Sequence, residues 1–365
     1  MGITQVNEII EGQVPTSFPA KVLAVLYQRF KAFKGAKENG LVIIATELIP
    51  DNGKRLEAIV KNLAQYNQLE PAFTEWLVAA NIFCNSLVDR IVPGRPDVEN
   101  LDKITQELGY TDGLLIMTEP YRLWAIEGDE RVKAKLEFAN VNEGVIIAEN
   151  IEIYRELKVR LLNGTHTLTA AIAFLMQMDT VNNAMKNPEL RSFMQKVMNE
   201  EISKAIPYPV TGAQAKAFSD AVIDRFKNPY IEHLWYNITF QYTMKMKIRV
   251  LPLLATYYAR YQHIPEYMCL GVAAYLRFMQ VAKTEEGKFY GNYNGNQYLI
   301  NDEHAAYFRD KPDVYTLLSD QQFWGVNFST LGDFIHQVDE KYREIENDGI
   351  IKVLLNLLAA KTDRI

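Results

Sequence analysis

Apolar residues recur at helical spacing over Pro19–Phe33 (PAKVLAVLYQRFKAF), the period breaks at Gly40, and Leu41–Leu48 (LVIIATEL) follows as a short β-branched run. A run that is apolar on both faces marks a strand buried within a parallel sheet. Arg55–Tyr66 and Pro71–Val88 return to the helical period, and Gly113–Thr118 (GLLIMT), Leu123–Gly128 (LWAIEG) and Gly144–Glu149 (GVIIAE) read as three more strands. Helix and strand signals that alternate in this way predict α/β organisation for residues 1–150.

From about Ile151 the pattern changes. Long amphipathic segments follow one another: Ile153–Met178, Pro188–Ala205, Ala213–Arg225, Asn228–Met246, Leu251–Tyr261, Tyr267–Val281, Pro312–Leu318, Thr330–Asn347 and Ile350–Ala360. Strand-like runs are nearly absent here, so residues 151–365 are expected to form an all-helical second domain. Tyr290–Glu303 (YGNYNGNQYLINDE) is rich in Gly and Asn and reads as a loop.

Composition narrows the function classes. With 365 residues, 48% hydrophobic, the chain can bury a large core, and its length favours two domains. A net charge of -6 without a basic tail excludes a phosphate-reading, nucleic-acid-binding surface. Cys84 and Cys269 are the only cysteines, which suits two buried thiols better than a disulfide framework or a zinc site. Neither a signal peptide nor an apolar run of membrane length is evident, so no membrane association is expected and the cytoplasm is the economical location. The histidines have no Cys, His or carboxylate at metal-ligand spacing, and no metal is expected. Neither a Gly-x-Gly-x-x-Gly turn nor a P-loop occurs.

Three polar constellations interrupt the apolar pattern. In Lys158-Val-Arg-Leu-Leu-Asn163-Gly-Thr-His166, an α-helix would set Lys158, Asn163 and His166 at about 0°, 140° and 80° around its axis. A lysine, an amide and an imidazole on one sector suit proton transfer to a carbonyl oxygen, and they equally suit a hydrogen-bonded structural trio. Asn81–Gly94 contains Asn85 and Asp89 one helical turn apart and reads as a helix end before Pro93. In Arg225–His233, Asn228-Pro229 reads as the N-cap and first position of a helix that carries His233 and Asn237 one turn apart, with Lys245 and Arg249 beyond.

These stretches also carry a resemblance. Asn-Ser-Leu-Val-Asp-Arg-Ile-Val-Pro (Asn85–Pro93) resembles the signature of the long-chain mannitol dehydrogenase family, and Lys-x4-Asn-x2-His resembles that family's catalytic motif. Within the family, Phe83-Cys84-x-x-Leu-Val-Asp-Arg-Ile-Val, Leu162-Asn-Gly-x-His-Thr167 and Asn228-Pro-Tyr-Ile-x-His233 are similar to the tagaturonate reductase (altronate oxidoreductase) branch, as is the opening Gly2-Ile3. The resemblance implies an incomplete Rossmann-type parallel-sheet domain followed by a mainly helical substrate domain. It implies NAD(H)-dependent reduction of a ketone to a secondary alcohol without a metal. Lys158 would be the general acid/base, Asn163 and Asn85 amide donors to the oxyanion, and His166 the residue orienting the substrate oxygen. His233 and Asn237 would line the substrate, and Glu47, Asn52 and Gly53 fall in the segment lining the cofactor cleft.

Two positions depart from one branch or the other. Asn85 matches the mannitol branch, whereas the tagaturonate branch can carry Ser there. Arg155 stands where mannitol-type members have Glu, and a cation suits the carboxylate of a sugar acid. Fructuronate reductases and mannitol-type dehydrogenases share the Lys-Asn-His motif and remain alternatives, as does a non-catalytic binding or interaction protein. The family's glycine turn, in the first βαβ unit, is missing. A parallel sheet lacking its first strands is expected to self-associate or to take up a complementary N-terminal chain.

Overall fold

The computed structural model describes residues 14–310 and 313–362, so the Gly2-Ile3 match and the expected helix start at Pro312 lie outside the described residues. The chain divides into two compact units, Met1–Tyr154 and Arg155–Ile365.

In the first unit Ser17 caps α1 (Phe18–Ala32) by accepting from the Ala20 amide. The chain then enters β1 (Val42–Ile44), crosses through α2 (Asn52–Tyr66) and α3 (Pro71–Ala80), and returns as β2 (Ile82–Cys84), parallel to β1 in the register Val42↔Ile82 to Ile44↔Cys84. The core between helices and strands holds Leu23, Leu26, Val60, Phe73, Trp76 and Leu77. After Asn85 comes β3 (Ser86–Asp89), followed by α4 (Val98–Leu108), β4 (Leu123–Glu127), α5 (Glu130–Lys135) and β5 (Val145–Ala148). β4 lies antiparallel to β3 and parallel to β5. Among the described residues β1 pairs with β2 alone.

Two expectations fail in this unit. The helix expected over Pro71–Val88 ends at Ala80, so Asn85 and Asp89 are not one helical turn apart: Asp89 closes β3 and Asn85 separates the two strands. Asn81 causes the break. Its Nδ2 donates to the Trp76 and Leu77 carbonyls, 3.4 and 3.2 Å away, and caps α3, while its Oδ1 accepts from the Leu41 amide at 3.0 Å beside β1. A short apolar run reads alike as strand or helix until such partners decide it. The expected strand Gly113–Thr118 forms only a single bridge, Gly94↔Met117, with Leu114 and Ile116 left exposed. Without a neighbouring strand to pair along its length, its apolar residues do not make a ladder.

The second unit is mainly helical. α6 (Glu152–Leu157) passes without interruption into a π-helix, Lys158–Gly164, and then into α7 (Thr165–Leu175). Two more π-helices, Val197–Ile202 and Met246–Val250, pack against the first. The helix Glu266–Met279 is buried nearly all round, between α7 and the helix Phe334–Asp348.

Here too two segments differ from expectation. The Gly/Asn-rich Tyr290–Glu303 is not a loop: β6 (Lys283–Glu285), β7 (Lys288–Tyr293) and β8 (Asn296–Leu299) form an antiparallel meander. Asn294 and Gly295, both at positive φ (50° and 82°), make the two-residue turn joining β7 to β8. The helix expected from Asn228 does not start there. Asn228 Oδ1 accepts from the Tyr230 amide in a local turn, and the backbone near His233 pairs with Asp179–Val181 instead (Val181 N to His233 O and Trp235 N to Asp179 O, both 3.0 Å). His233 is therefore in extended chain, and Asn237 sits exposed on a separate short helix, Trp235–Ile238.

Candidate functional site

The segment carrying Lys158 and Asn163 is the π-helix. Its i→i+5 bonds give each turn an extra residue, so residues five apart come onto one face as i and i+4 do in an α-helix. Lys158 and Asn163 are five apart, which removes most of the angular gap that regular α-geometry would leave between them. His166, three residues on, continues that face on α7. Lys158 and Asn163 are half-buried, and His166 is 6% exposed.

A rigid frame holds this face. Thr167 Oγ1 donates to the Asn163 carbonyl at 2.7 Å and accepts from Arg249 Nη1 at 3.2 Å. The buried Tyr242 hydroxyl donates to the Thr167 carbonyl at 2.7 Å and accepts from the Ala171 amide at 3.0 Å. Arg160, inside the π-helix, pairs with Glu156 at 2.9 Å and donates through Nη1 to the Ile248 and Arg249 carbonyls at 2.6 and 3.1 Å. It thereby ties one π-helix to another.

The imidazole of His166 stacks on Phe226 (centroids 4.3 Å apart) and meets the rings of His233 and Trp235 edge-on at 5.1 and 5.9 Å. Its Nε2 and the Trp235 Nε1 are both buried without a hydrogen-bond partner. Such orphan atoms are uncommon in a finished core and fit a place where a polar ligand atom or a water belongs. Burial, and then the charges of His233, Arg249, Arg225 and Lys245, hold His166 well below the usual histidine range. Burial and Lys245 also lower His233. Burial and the neighbouring Arg249 lower Lys245 to about 8, against the opposing pull of Asp302. The imidazole is thus neutral, and the groups around it are basic.

Sequence reasoning singled out Lys158, Asn163, His166 and His233, and the last two meet through their rings. It left Lys245 and Arg249 without a role and missed Glu156, Arg160 and Thr167. The i,i+4 spacings Glu156–Arg160 and Lys245–Arg249 were the available signals.

The first-unit candidates serve largely internal purposes. Asn52, 3% exposed, donates to the carbonyls of Ala45, Glu47 and Ser86 and accepts from the amides of Gly53 and Ser86. A Cβ on Gly53 would lie 2.3 Å from the Cys84 carbonyl carbon and oxygen, so the N-terminus of α2 is packed directly on the strand. Asn85 Oδ1 accepts from the Lys54 amide at 3.1 Å, and its Nδ2 donates to Glu127 at 3.2 Å. Asn52 and Gly53 therefore shape the turn at the carboxyl end of β1, the end where doubly wound sheets take dinucleotides, and of these three candidates Glu47 alone is exposed. The residues at this end fit a dinucleotide as far as they go, Glu47 offering a carboxylate for ribose hydroxyls. Both cysteines are free and buried. Among the described residues no group of His, Cys, Asp and Glu could hold a metal ion, and no helix is long and apolar enough to cross a membrane.

The family model of the Mannitol dehydrogenase Rossmann domain matches residues 3–140, and that of the Mannitol dehydrogenase C-terminal domain matches residues 150–346. The chain belongs to the mannitol dehydrogenase family. It is 34% identical over 356 residues to an altronate oxidoreductase of Bacillus subtilis, covering 94% of this chain and 70% of that one. An altronate oxidoreductase of Halalkalibacterium halodurans is 34% identical over 374 residues, 98% of this chain and 72% of the relative. Among solved structures, the Pseudomonas fluorescens mannitol 2-dehydrogenase ternary complex with NAD and D-mannitol aligns with a TM-score of 0.64 at 22% identity (94% of this chain, 67% of that one). A substrate-free D-sorbitol dehydrogenase aligns with a TM-score of 0.71 at 19% identity (93% and 67%). At these identities the two structures speak for the fold: a Rossmann-type domain followed by a mainly helical one.

Proposed function

We propose that this family member is an NAD(H)-dependent oxidoreductase that interconverts tagaturonate and altronate. One observation carries the reading: a π-turn brings Lys158 and Asn163 onto the face continued by His166, whose Nε2 is buried without a partner and on which the charges of Arg249, Arg225 and Lys245 act. A neutral polyol has no use for that charge, and a sugar acid does. This favours the sugar acid over the mannitol-type alternative; a fructuronate, also anionic, is separated only by substrate profiling.

NAD(H), when bound, supplies or accepts the hydride at the carbonyl carbon, and Glu47 is the exposed residue suited to its ribose. Lys158 Nζ gives its proton to the carbonyl oxygen in reduction and takes it back in oxidation. Asn163 donates to the oxygen as negative charge develops, while Asn85, the second amide that the family motif implies, is engaged with Lys54 and Glu127 within the first unit. The neutral His166 offers Nε2 to a substrate oxygen, and His233 keeps the ring's orientation by edge-on contact. Asn237, exposed on its own short helix, is the least supported of the substrate-lining candidates.

The test is NADH consumption with tagaturonate by the chain and by its Lys158→Met variant. Turnover lost in the variant, with tagaturonate still bound, supports the assignment. Equal turnover in both removes Lys158 from the chemistry. The alternative is a protein that binds a sugar acid without turning it over, and the close packing of Gly53 on the Cys84 carbonyl is what speaks for it. It predicts altronate binding without NADH binding in calorimetry.

A further inference from the structure

Two basic residues stand at the π-helix Met246–Val250, Lys245 just before its start and Arg249 next to its last residue. Arg249 is half-buried, and its backbone carbonyl is held by Arg160 from the π-helix that carries Lys158. Its guanidinium makes one side-chain hydrogen bond among the described residues, from Nη1 to Thr167 Oγ1. An arginine offers five N–H donors in a planar fork matched to a carboxylate. No carboxylate pairs with Arg249 among the described residues, although it bears on His166 from close range. Lys245, one helical turn earlier, has its Nζ on the Ile238 carbonyl at 2.9 Å. The acid that acts on Lys245, Asp302, has its oxygens on the Thr243 and His304 amides at 2.7 and 2.8 Å. Two cations are therefore gathered near a buried imidazole whose Nε2 lacks a partner, and among the described residues no carboxylate forms an ion pair with either of them.

We propose that Arg249, with Lys245 beside it, anchors the carboxylate of the sugar acid, and that Thr167 sets the distance from this anchor to the reacting carbonyl. Thr167 uses its hydroxyl both ways, donating to the Asn163 carbonyl and accepting from Arg249. The residue that holds the far end of the substrate is thus bonded, through one hydroxyl, to the residue that would meet its oxyanion. The assignment rests on the proposed sugar-acid reading and deepens it by naming the group that selects an acid over a neutral sugar.

The experiment compares the full chain with Arg249→Leu and Arg249→Lys, by altronate calorimetry and by steady-state reduction of tagaturonate. An anchor remote from the reacting carbon holds ground and transition states alike, so its loss raises KM and leaves kcat within a few-fold. We expect KM and the altronate Kd to rise about 10- to 100-fold in the Leu variant and by less in the Lys variant, which keeps the charge without the fork. If the Leu variant does not fold, Arg249→Gln tests the same loss of charge. An unchanged KM, or a fall in kcat at constant KM, overturns the anchor while the sugar-acid reading stands. A wild-type chain that neither binds altronate nor reduces tagaturonate overturns both.

Discussion

His166 lies flat against Phe226, ring centroids 4.3 Å apart and planes 20° from parallel, and it is buried within reach of the charges of Arg249, Arg225 and Lys245. This environment rejects the imidazolium. The depressed folded value means that the unfolded chain binds the proton more readily, so stability contributed by this site is complete above about pH 6.5 and is lost as pH falls toward the folded value. His233, lowered for a similar reason, adds to the same slope. His166→Gln should therefore flatten the fall in urea midpoint between about pH 7.5 and pH 5. A wild-type slope retained in the variant would show that the ring does not titrate as its surroundings demand.

Glu156 and Arg160 form an ion pair whose side chains are 10% and 9% exposed, and Arg160 also satisfies the Ile248 and Arg249 carbonyls. Removing the arginine alone strands a buried carboxylate. Arg160→Met should cost about 3–5 kcal/mol in denaturant unfolding, whereas the double variant Glu156→Gln/Arg160→Met should recover part of that loss. If the double variant is no more stable than the single, the arginine acts through the two carbonyls and not through its partner acid.

How far these features were legible in the sequence depended on whether their partners were local. The Lys158, Asn163 and His166 spacing could be read because all three lie within nine residues, yet the π-turn that aligns them could not, since helical periodicity assumes a regular turn. The Asn294-Gly295 turn was readable from its own chemistry, both residues being suited to positive φ, but the polar run around it suggested a loop. Asn81 ended α3 by bonding to an amide 40 residues away, and the chain after Asn228 left the helical path by pairing with Asp179–Val181. Arg249 took its place beside the site through Thr167, 82 residues distant. No local pattern announces such partners.

Lys245 gives a prediction with two opposed signs. Lowered to about 8 by burial and by Arg249, it carries its charge at neutral pH and loses it as pH rises through that value. Affinity for altronate should fall above about pH 8, because a cation facing the carboxylate disappears. Over the same range this lysine's contribution to stability should rise with pH, since from about 8 up to its ordinary value of 10.5 the unfolded chain holds the proton that the folded one has released. Calorimetry and unfolding across the range separate the two, and Lys245→Met should remove both. An altronate affinity that stays level through pH 8 would take Lys245 out of the site.

Arg155 offers the complementary case. It is half-buried on α6, three residues before Lys158 and ahead of the point where the π-turn begins. Its charge suits a sugar acid, and Arg249 is bonded to Thr167, whose hydroxyl donates to the Asn163 carbonyl. Arg155→Leu should raise KM for tagaturonate about 3-fold, a long-range loss of attraction, against the larger rise expected for Arg249→Leu. Since a diffuse field is screened by salt and a direct forked contact much less so, the Arg155 effect should shrink between low and high ionic strength while the Arg249 effect persists. A KM unchanged by Arg155→Leu at low salt would mean that this arginine serves the fold alone, and a rise larger than that of Arg249→Leu would make Arg155 the anchor.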